Sequence, residues 1–376
     1  MSSIIKILAA LVALLVLLVG GFVAFVFATE YAPEARQPEP VHGDGNGAGL
    51  VVGSPFTVVS WNLQYSASRK HRFFYDGGEA VHVPEADVQA TVAAIGEVLA
   101  KEAPAVALLQ EIDRDSARTG RVDQLPPLVS AMNATAWTAA AYHKAAFVPK
   151  PFSNPLGRVQ MDLGILTTGR LENAERHQLA LMDEPRPVQA LNLKRALLTA
   201  EVPVEGLSQP LAVGVTHLSA FSFGDGTLEK QVAALKAWMA ERPEGQPWIL
   251  AGDFNLLPPG DDKSRLRTEA ELYADEGNPI DAVLPAFREL FGAAQLDPKV
   301  RTYLPFGFDE PDRKIDYFFM GGPIEVVEGA VLREHAAISD HLPIRAVLRI
   351  VDPQAPVESD ASKGAVIDGT LDGKAD

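Results

Sequence analysis

The stretch Trp248-Ile249-Leu250-Ala251-Gly252-Asp253-Phe254-Asn255 decides how this chain is read. An apolar run suited to a buried strand passes through a small Ala-Gly step into a carboxylate and then an amide. The same succession recurs. Val58-Val59-Ser60-Trp61 leads into Asn62, Ala107-Leu108-Leu109 into Gln110-Glu111, and Ala212-Val213-Gly214-Val215 into Thr216-His217. Ile315-Asp316-Tyr317 opens a further strand-like run, and Ser339-Asp340-His341 precedes the last one. One Asp or Asn at a strand end is ordinarily a turn former or a helix cap. Turns do not explain the whole ordered set, and adjacent strand ends can gather such groups into one cleft.

Outward from these motifs, apolar runs predict strands over 56–61, 105–109, 211–215, 248–250, 317–320 and 342–350. Helical spacing intervenes. Val88, Val92, Ile95 and Leu99 share one face, as do Leu228, Val232 and Leu235, and both stripes read as core packing. The class is therefore α/β, a sheet system covered by helices. Residues 55–351 form one block without an internal linker and read as one domain. Before it, residues 29–54 carry Pro33, Pro38, Pro40 and a glycine run from Gly43 to Gly49, which predict a flexible linker. After it, residues 352–376 are acidic and lack aromatics, which predicts a disordered tail.

Residues 4–27 are almost wholly apolar, with Lys6 the one charge. A bilayer-spanning helix needs about 20 such residues. Residues 1–28 are read as a transmembrane anchor or a signal peptide, since Val26 and Ala28 fit a cleavage site before Thr29. Signal-peptide cores run about 7–15 residues, so the uncleaved anchor is preferred. Lys6 before the span, and Glu30 and Glu34 after it, place the domain outside the cytoplasm. Cleavage would make the protein secreted. The formal net charge of -16 argues against a broad basic face for nucleic acid. The absence of cysteine excludes disulfides, thiolate zinc sites and cysteine nucleophiles.

Trp61-Asn62, Gln110-Glu111, Thr216-His217-Leu218, Gly252-Asp253-Phe254-Asn255, Ile315-Asp316-Tyr317 and Ser339-Asp340-His341 resemble, in order, the motifs of the endonuclease/exonuclease/phosphatase superfamily. That superfamily includes pancreatic-type deoxyribonuclease, abasic-site endonucleases, neutral sphingomyelinases and inositol-polyphosphate 5-phosphatases. The resemblance spans about residues 56–349. It implies a four-layered α/β sandwich, two facing mixed sheets flanked by helices, here with an added N-terminal transmembrane helix.

It also implies a chemistry. A phosphodiester is an anion attacked by water, so the enzyme must neutralise phosphoryl oxygens and deprotonate and align the water. A hard cation wants oxygen ligands and few carboxylates. Glu111 is the leading ligand for Mg2+, with Mn2+ or Ca2+ as alternatives, assisted by Asn62 and approached by Asp340. By resemblance Asp253 orients or deprotonates the water and Asn255 helps to position it. Asp316 would hold His341 in its charged form. His217 would contact the phosphate or protonate the leaving oxygen, and Arg195 would bind a phosphoryl oxygen. Gln64 stands where some relatives carry a carboxylate for a second metal, which leaves the metal number open. No His-x-x-x-His spacing supports a zinc hydrolase.

Three further segments are open to two readings. Residues 114–124, with Arg114, Arg118 and Arg121, are a cleft rim or a solvated charged loop. Trp137, Tyr142, Phe147 and Phe152 are an aromatic rim or core. The long segment 258–295 suits a lid or substrate loop. The expected function is divalent-metal-dependent hydrolysis of phosphate esters, phosphodiesters foremost, at the extracytoplasmic membrane face. The substrate is a lipid or small molecule, with no protein partner inferred. The alternatives are a tethered or secreted nuclease acting on DNA or RNA, and a tethered binding protein without catalysis.

Overall fold

The computed structural model describes residues 2–220, 224–273 and 277–352; the tail from residue 353 lies outside them. The six predicted strands are Pro55–Asn62, Val106–Asp113, Leu211–His217, Trp248–Asp253, Asp316–Gly321 and Ile344–Ile350. The first four run on into the polar residues at their ends, so that Asn62, Glu111, His217 and Asp253 are strand residues.

Two seven-stranded mixed sheets face one another. One has the order Arg36–Pro38, Glu172–Gln178, Ala196–Val202, Leu211–His217, Trp248–Asp253, Asp316–Gly321, Arg288–Glu289. The other has the order Ile324–Val331, Ile344–Ile350, Pro55–Asn62, Val106–Asp113, Gly157–Thr167, Ala136–Val148, His42–Gly43. Period-two alternation separates the faces. Ile249, Ala251, Phe318 and Met320 join the core between the sheets, while Trp248, Leu250, Tyr317 and Phe319 turn outward beneath the helix Thr227–Ala240. That helix buries Leu228, Val232 and Leu235, as its spacing predicts, together with Trp238 and Met239. Each such side chain contributes roughly 1.5–3 kcal/mol by leaving water.

The helix Glu85–Glu102 covers the second sheet through Val88, Val92, Ile95 and Leu99. Glu85 and Asp87 in its first turn and Lys101 in its last suit the helix dipole. The result is the four-layered sandwich.

The topology brings the polar strand ends together. Each sheet has a central parallel pair, with His217 opposite Asp253 in one and Asn62 opposite Gln110 in the other. Both pairs therefore end at one edge. Each also has an antiparallel neighbour that begins at that edge, with Asp316 opposite Asp253 and Ile344 opposite Ser60.

Residues 29–54 depart from the expectation of a flexible linker. Arg36–Pro38 pairs with Glu172–Gln178, His42–Gly43 with the strand holding Trp137, and Leu50–Val51 with Val204–Glu205. Pairings of two or three residues are too short to show a period, and proline is tolerated at sheet edges. The segment 258–295 is likewise partly packed, since Ile280 and Val283 join the cluster under Thr227–Ala240. The N-terminal helix Ser2–Ala28 is long and apolar enough to cross a membrane over Ser3–Ala28.

The His217–Asp253 register requires glycine at position 252. Gly252 has φ +147°, and a Cβ there would lie 1.9 Å from the Thr216 carbonyl oxygen. Gly252→Ala is expected to lower unfolding stability by about 3 kcal/mol or more, read by urea denaturation followed through tryptophan fluorescence. A loss below about 1 kcal/mol would show that the two strand ends adjust freely.

Candidate functional site

Asn62, Glu111, His217, Asp253, Asp316, Asp340 and His341 converge at the shared edge. A β-bulge turns Glu111 inward: pairing with Gly157–Thr167 shifts register between Leu109 and Ile112, and Glu111 takes φ +60°. The buried Asn62 amide links the two sheets, with Nδ2 donating to Glu111 Oε1 at 3.2 Å and to Asp253 Oδ2 at 3.1 Å. Its Oδ1 accepts from the Gln64 backbone at 3.0 Å.

His217 lies against Asp253, with Nε2 3.3 Å from Oδ2, while Nδ1 is 3.2 Å from the Tyr142 hydroxyl and 3.5 Å from Glu111 Oε1. Burial, then the charges of Arg195 and His341, hold its pKa well below the usual histidine value. A neutral ring satisfies its neighbours by donating from Nε2 to Asp253 and accepting at Nδ1 from Tyr142.

His341 is the opposite case. Its Nδ1 lies 2.9 Å from Asp316 Oδ2, and its Nε2 3.5 Å from Asp253 Oδ2. Burial disfavours the charge, but Asp316 and Asp253 overcome it and raise the pKa well above the usual value. The Trp61 indole fixes this segment by donating to the His341 carbonyl at 2.9 Å. Asp253 is itself raised, by burial first and by Asp316 and Glu111 among its neighbours. Asn255, at φ +52°, donates its backbone N–H to Asp253 Oδ1 at 2.9 Å and its side-chain amide to the Leu218 carbonyl.

Glu111 and Asp340 are both raised, burial being the largest cause for each; for Glu111 the charge of Asp340 comes next. Among the described residues neither forms an ion pair with a lysine or arginine, Arg69 acting on Asp340 only at longer range. Asp76, half-buried at the end of the turn Phe74–Asp76, feels the same acids. Burial, then Asp340, Glu111 and Glu269, push it up to about 8. Asp253, Asp316 and His341 also present ligand atoms within 4.8 Å of one another. A charged His341 bonded to Asp316 is a proton-bearing pair rather than a metal ligand, because ligation requires the neutral ring.

Arg195 is 9 % exposed and lies over the Tyr142 ring at 5.4 Å. Its Nη1 has no hydrogen-bond partner among the described residues. Gln64 is fixed differently from a carboxylate. Its Oε1 accepts from the Asp340 backbone at 3.2 Å, which leaves Nε2 buried without a hydrogen-bond partner among the described residues.

The arginine-rich loop supplies no free charge to a rim. Arg118 is buried, bidentate to Asp113 at 2.9 Å for both contacts, and stacked on Tyr65. Arg114 pairs with Asp123 and Asp162, and Arg121 with Asp115. Of the four aromatics, Tyr142 alone bonds a site residue. Trp137 stacks on His42, Phe147 meets Phe22, and Phe152 is exposed. Tyr142 and Asp76 are the site residues that the motifs do not mark as polar strand ends. The motif Thr216-His217 carries no trace of Tyr142, 75 residues away.

The Endonuclease/Exonuclease/phosphatase family model matches residues 59–341. Comparison with curated proteins finds no match. Among solved structures the chain is similar to an endonuclease/exonuclease/phosphatase from Beutenbergia cavernae, at 22 % identity and TM-score 0.53, covering 79 % of this chain and 72 % of that one. It is similar to the human Nocturnin catalytic domain, at 14 % identity and TM-score 0.51, covering 83 % and 98 %. It is also similar to a Bacteroides vulgatus endonuclease/exonuclease/phosphatase, at 13 % identity and TM-score 0.50, covering 79 % and 99 %. At these identities the likeness to solved structures speaks to fold.

The Asp316–His341 contact predicts joint behaviour. His341→Ala and Asp316→Ala should each slow phosphoester turnover by roughly 10²–10⁴-fold, and the double variant should be barely slower than either. Steady-state rates of the three variants test this, and multiplicative losses would show independent action.

Proposed function

This chain belongs to the endonuclease/exonuclease/phosphatase family, and we propose that it is a metal-dependent hydrolase of phosphodiesters, tethered to a membrane by its N-terminal helix. The observation that carries this reading is the convergence of His217 and His341 on one oxygen of Asp253, with their pKa values displaced in opposite directions. A water attacking phosphorus must lose a proton while a new P–O bond forms and the leaving P–O bond breaks. Asp253, destabilised as an anion by burial, is suited to accept that proton, and Asn255 fixes its second oxygen. Charged His341, held by Asp316, offers its Nε2–H to a phosphoryl oxygen. Once Asp253 has taken the water proton, the Nε2–H that neutral His217 gives to Asp253 is released toward a phosphoryl or leaving oxygen. The buried, unbonded Nη1 of Arg195 suits a further phosphoryl oxygen.

The donor set fits a hard cation. Glu111 and Asp340 supply oxygen, and the Asn62 amide oxygen, which also accepts from the Gln64 N–H, would complete the set. Burial raises both carboxylates, and among the described residues neither has a lysine or arginine ion-pair partner. Mg2+, or Mn2+ or Ca2+, held there would neutralise phosphoryl oxygen charge. The reading favours a small or membrane-borne ester over duplex DNA. The arginines of 114–121 are occupied by acids, and the formal net charge is -16, whereas DNA affinity depends on basic groups meeting successive phosphates. Lys6 before the span supports, by the positive-inside rule, a domain outside the cytoplasm.

The test is Glu111→Gln in the full chain with a bis-aryl phosphate substrate. Turnover should fall by at least about 10²-fold and calorimetric Mg2+ affinity should drop, with circular dichroism unchanged. Chelator should abolish wild-type turnover. Unchanged rate and Mg2+ affinity in the variant would refute the assignment.

A further inference from the structure

The end of the N-terminal helix is seated on the domain. Phe22 meets Phe147 edge-on at a centroid distance of 6.5 Å, and Val26 is buried at 2 % exposure. Beyond it, Glu30 accepts two hydrogen bonds from Arg186, both at 2.9 Å, and lies 3.6 Å from Lys194 Nζ. Arg186 opens the short helix Arg186–Leu191, which packs against Ser2–Ala28, and its guanidinium also lies 5.6 Å from the Phe27 ring centroid.

Helix length sets the level of this contact. About 20 residues at about 1.5 Å each cross the hydrocarbon core, so a span beginning after Lys6, near Ile7, ends near Val26. Phe147, through Phe22, and Arg186–Leu191 meet the helix within about one turn of that level. Two apolar side chains on the same segments project into solvent: Phe152, 83 % exposed, and Val188, 48 % exposed. Lys150, exposed, lies two residues before Phe152, and Lys144 is exposed on the strand that carries Phe147, while Arg186 is held by Glu30. Apolar tips beside basic side chains, on a protein of formal net charge -16, match the chemistry of an anionic bilayer surface.

We propose that the segment around Phe147 and Phe152, with the Arg186–Leu191 helix, is a bilayer-seating ledge continuous with the anchor. Phe152 and Val188 enter the headgroup–acyl boundary, and the bases meet anionic headgroups. This rests on the tethering proposed above and adds an orientation to it. Tyr142, bonded to His217, precedes Phe147 by five residues on one strand, so the ledge is within about 17 Å of the cleft. Lys194 makes a second connection: its side chain faces Glu30, and its backbone N–H donates to the Tyr142 carbonyl. The ledge therefore presents the cleft to phosphoesters at headgroup depth.

The natural chain has no cysteine, so a single introduced one can be labelled uniquely. Full-length Phe152→Cys, Val188→Cys, Leu11→Cys and Val327→Cys, each carrying an environment-sensitive fluorophore, are reconstituted in vesicles of phosphatidylcholine with some phosphatidylglycerol. All four positions are exposed, and Val327 is on the edge strand at the opposite side of the sheet. Labels at 152 and 188 should be blue-shifted and lose emission to lipids carrying a shallow nitroxide. The label at 327 should behave as in water, and the label at 11 should be quenched by a deep nitroxide. Quenching at 11 with water-like emission at 152 and 188 overturns the ledge while leaving the tether standing. Water-like emission at 11 as well overturns both. Neither result bears on hydrolysis, which the bis-aryl phosphate assay reads separately.

Discussion

Asp253 stands in register between His217 on a parallel neighbour and Asp316 on an antiparallel one, and the arrangement of the cleft follows from that placement. Parallel pairing aligns the ends of two strands; antiparallel pairing starts a third where those two stop. The second sheet repeats the device with Asn62, Gln110 and the segment leading to Ile344. The sheets pack face to face, so two independently assembled edges meet at one place. The Asn62 amide then closes the gap by bonding Glu111 on its own sheet and Asp253 on the other. A one-residue slip in either central pair would turn these side chains to the opposite face.

The same placement creates an electrostatic problem. Glu111, Asp253 and Asp340 are gathered where burial raises their pKa values, and Asp316 is buried beside them. The protein answers part of it internally. Charged His341 lies between Asp316 and Asp253, while Arg195 offsets Asp253 and Glu111 from the other side. Its field also helps keep His217 neutral. The remainder, at Glu111, Asp340 and Asp76, has no basic ion-pair partner among the described residues. The division of histidine charge and the acidic remainder are thus consequences of one packing arrangement. This is why the proposed cation and the proposed proton acceptor occupy neighbouring halves of the cleft.

Much of this was legible because each motif joins an apolar strand to the polar group at its end. Such a junction is local, and a reader of Leu250-Ala251-Gly252-Asp253 needs no knowledge of distant residues. Contacts made only in space left no such mark. Tyr142 lies in the alanine-rich strand Ala136–Val148, whose sequence does not announce a partner at His217. Asp76 ends a short turn, Phe74–Asp76, that resembles any surface turn. The loop 114–124, open to two readings in the sequence, is decided by neighbours: Asp113, Asp115 and Asp123 pair with its arginines.

Residues 29–54 show why composition alone misjudged a segment. Gly43 resembles a flexible joint, yet its Cβ position lies 2.1 Å from the Thr135 carbonyl oxygen, so the glycine permits close approach of two chains. Arg36–Pro38 then covers an edge of one sheet and His42–Gly43 an edge of the other. Covering exposed edges limits unwanted strand pairing. It also changes the mechanical meaning of the proposed anchor. A random linker would allow the cleft to sample a volume set by chain length. A segment paired to both sheets passes the direction of the helix into the domain, and the Glu30–Arg186 contact adds a fixed point where the two meet. For the membrane-tethered hydrolase proposed above, such a brace exchanges reach for orientation, and its loss would be felt first as poorer access to membrane-borne substrate.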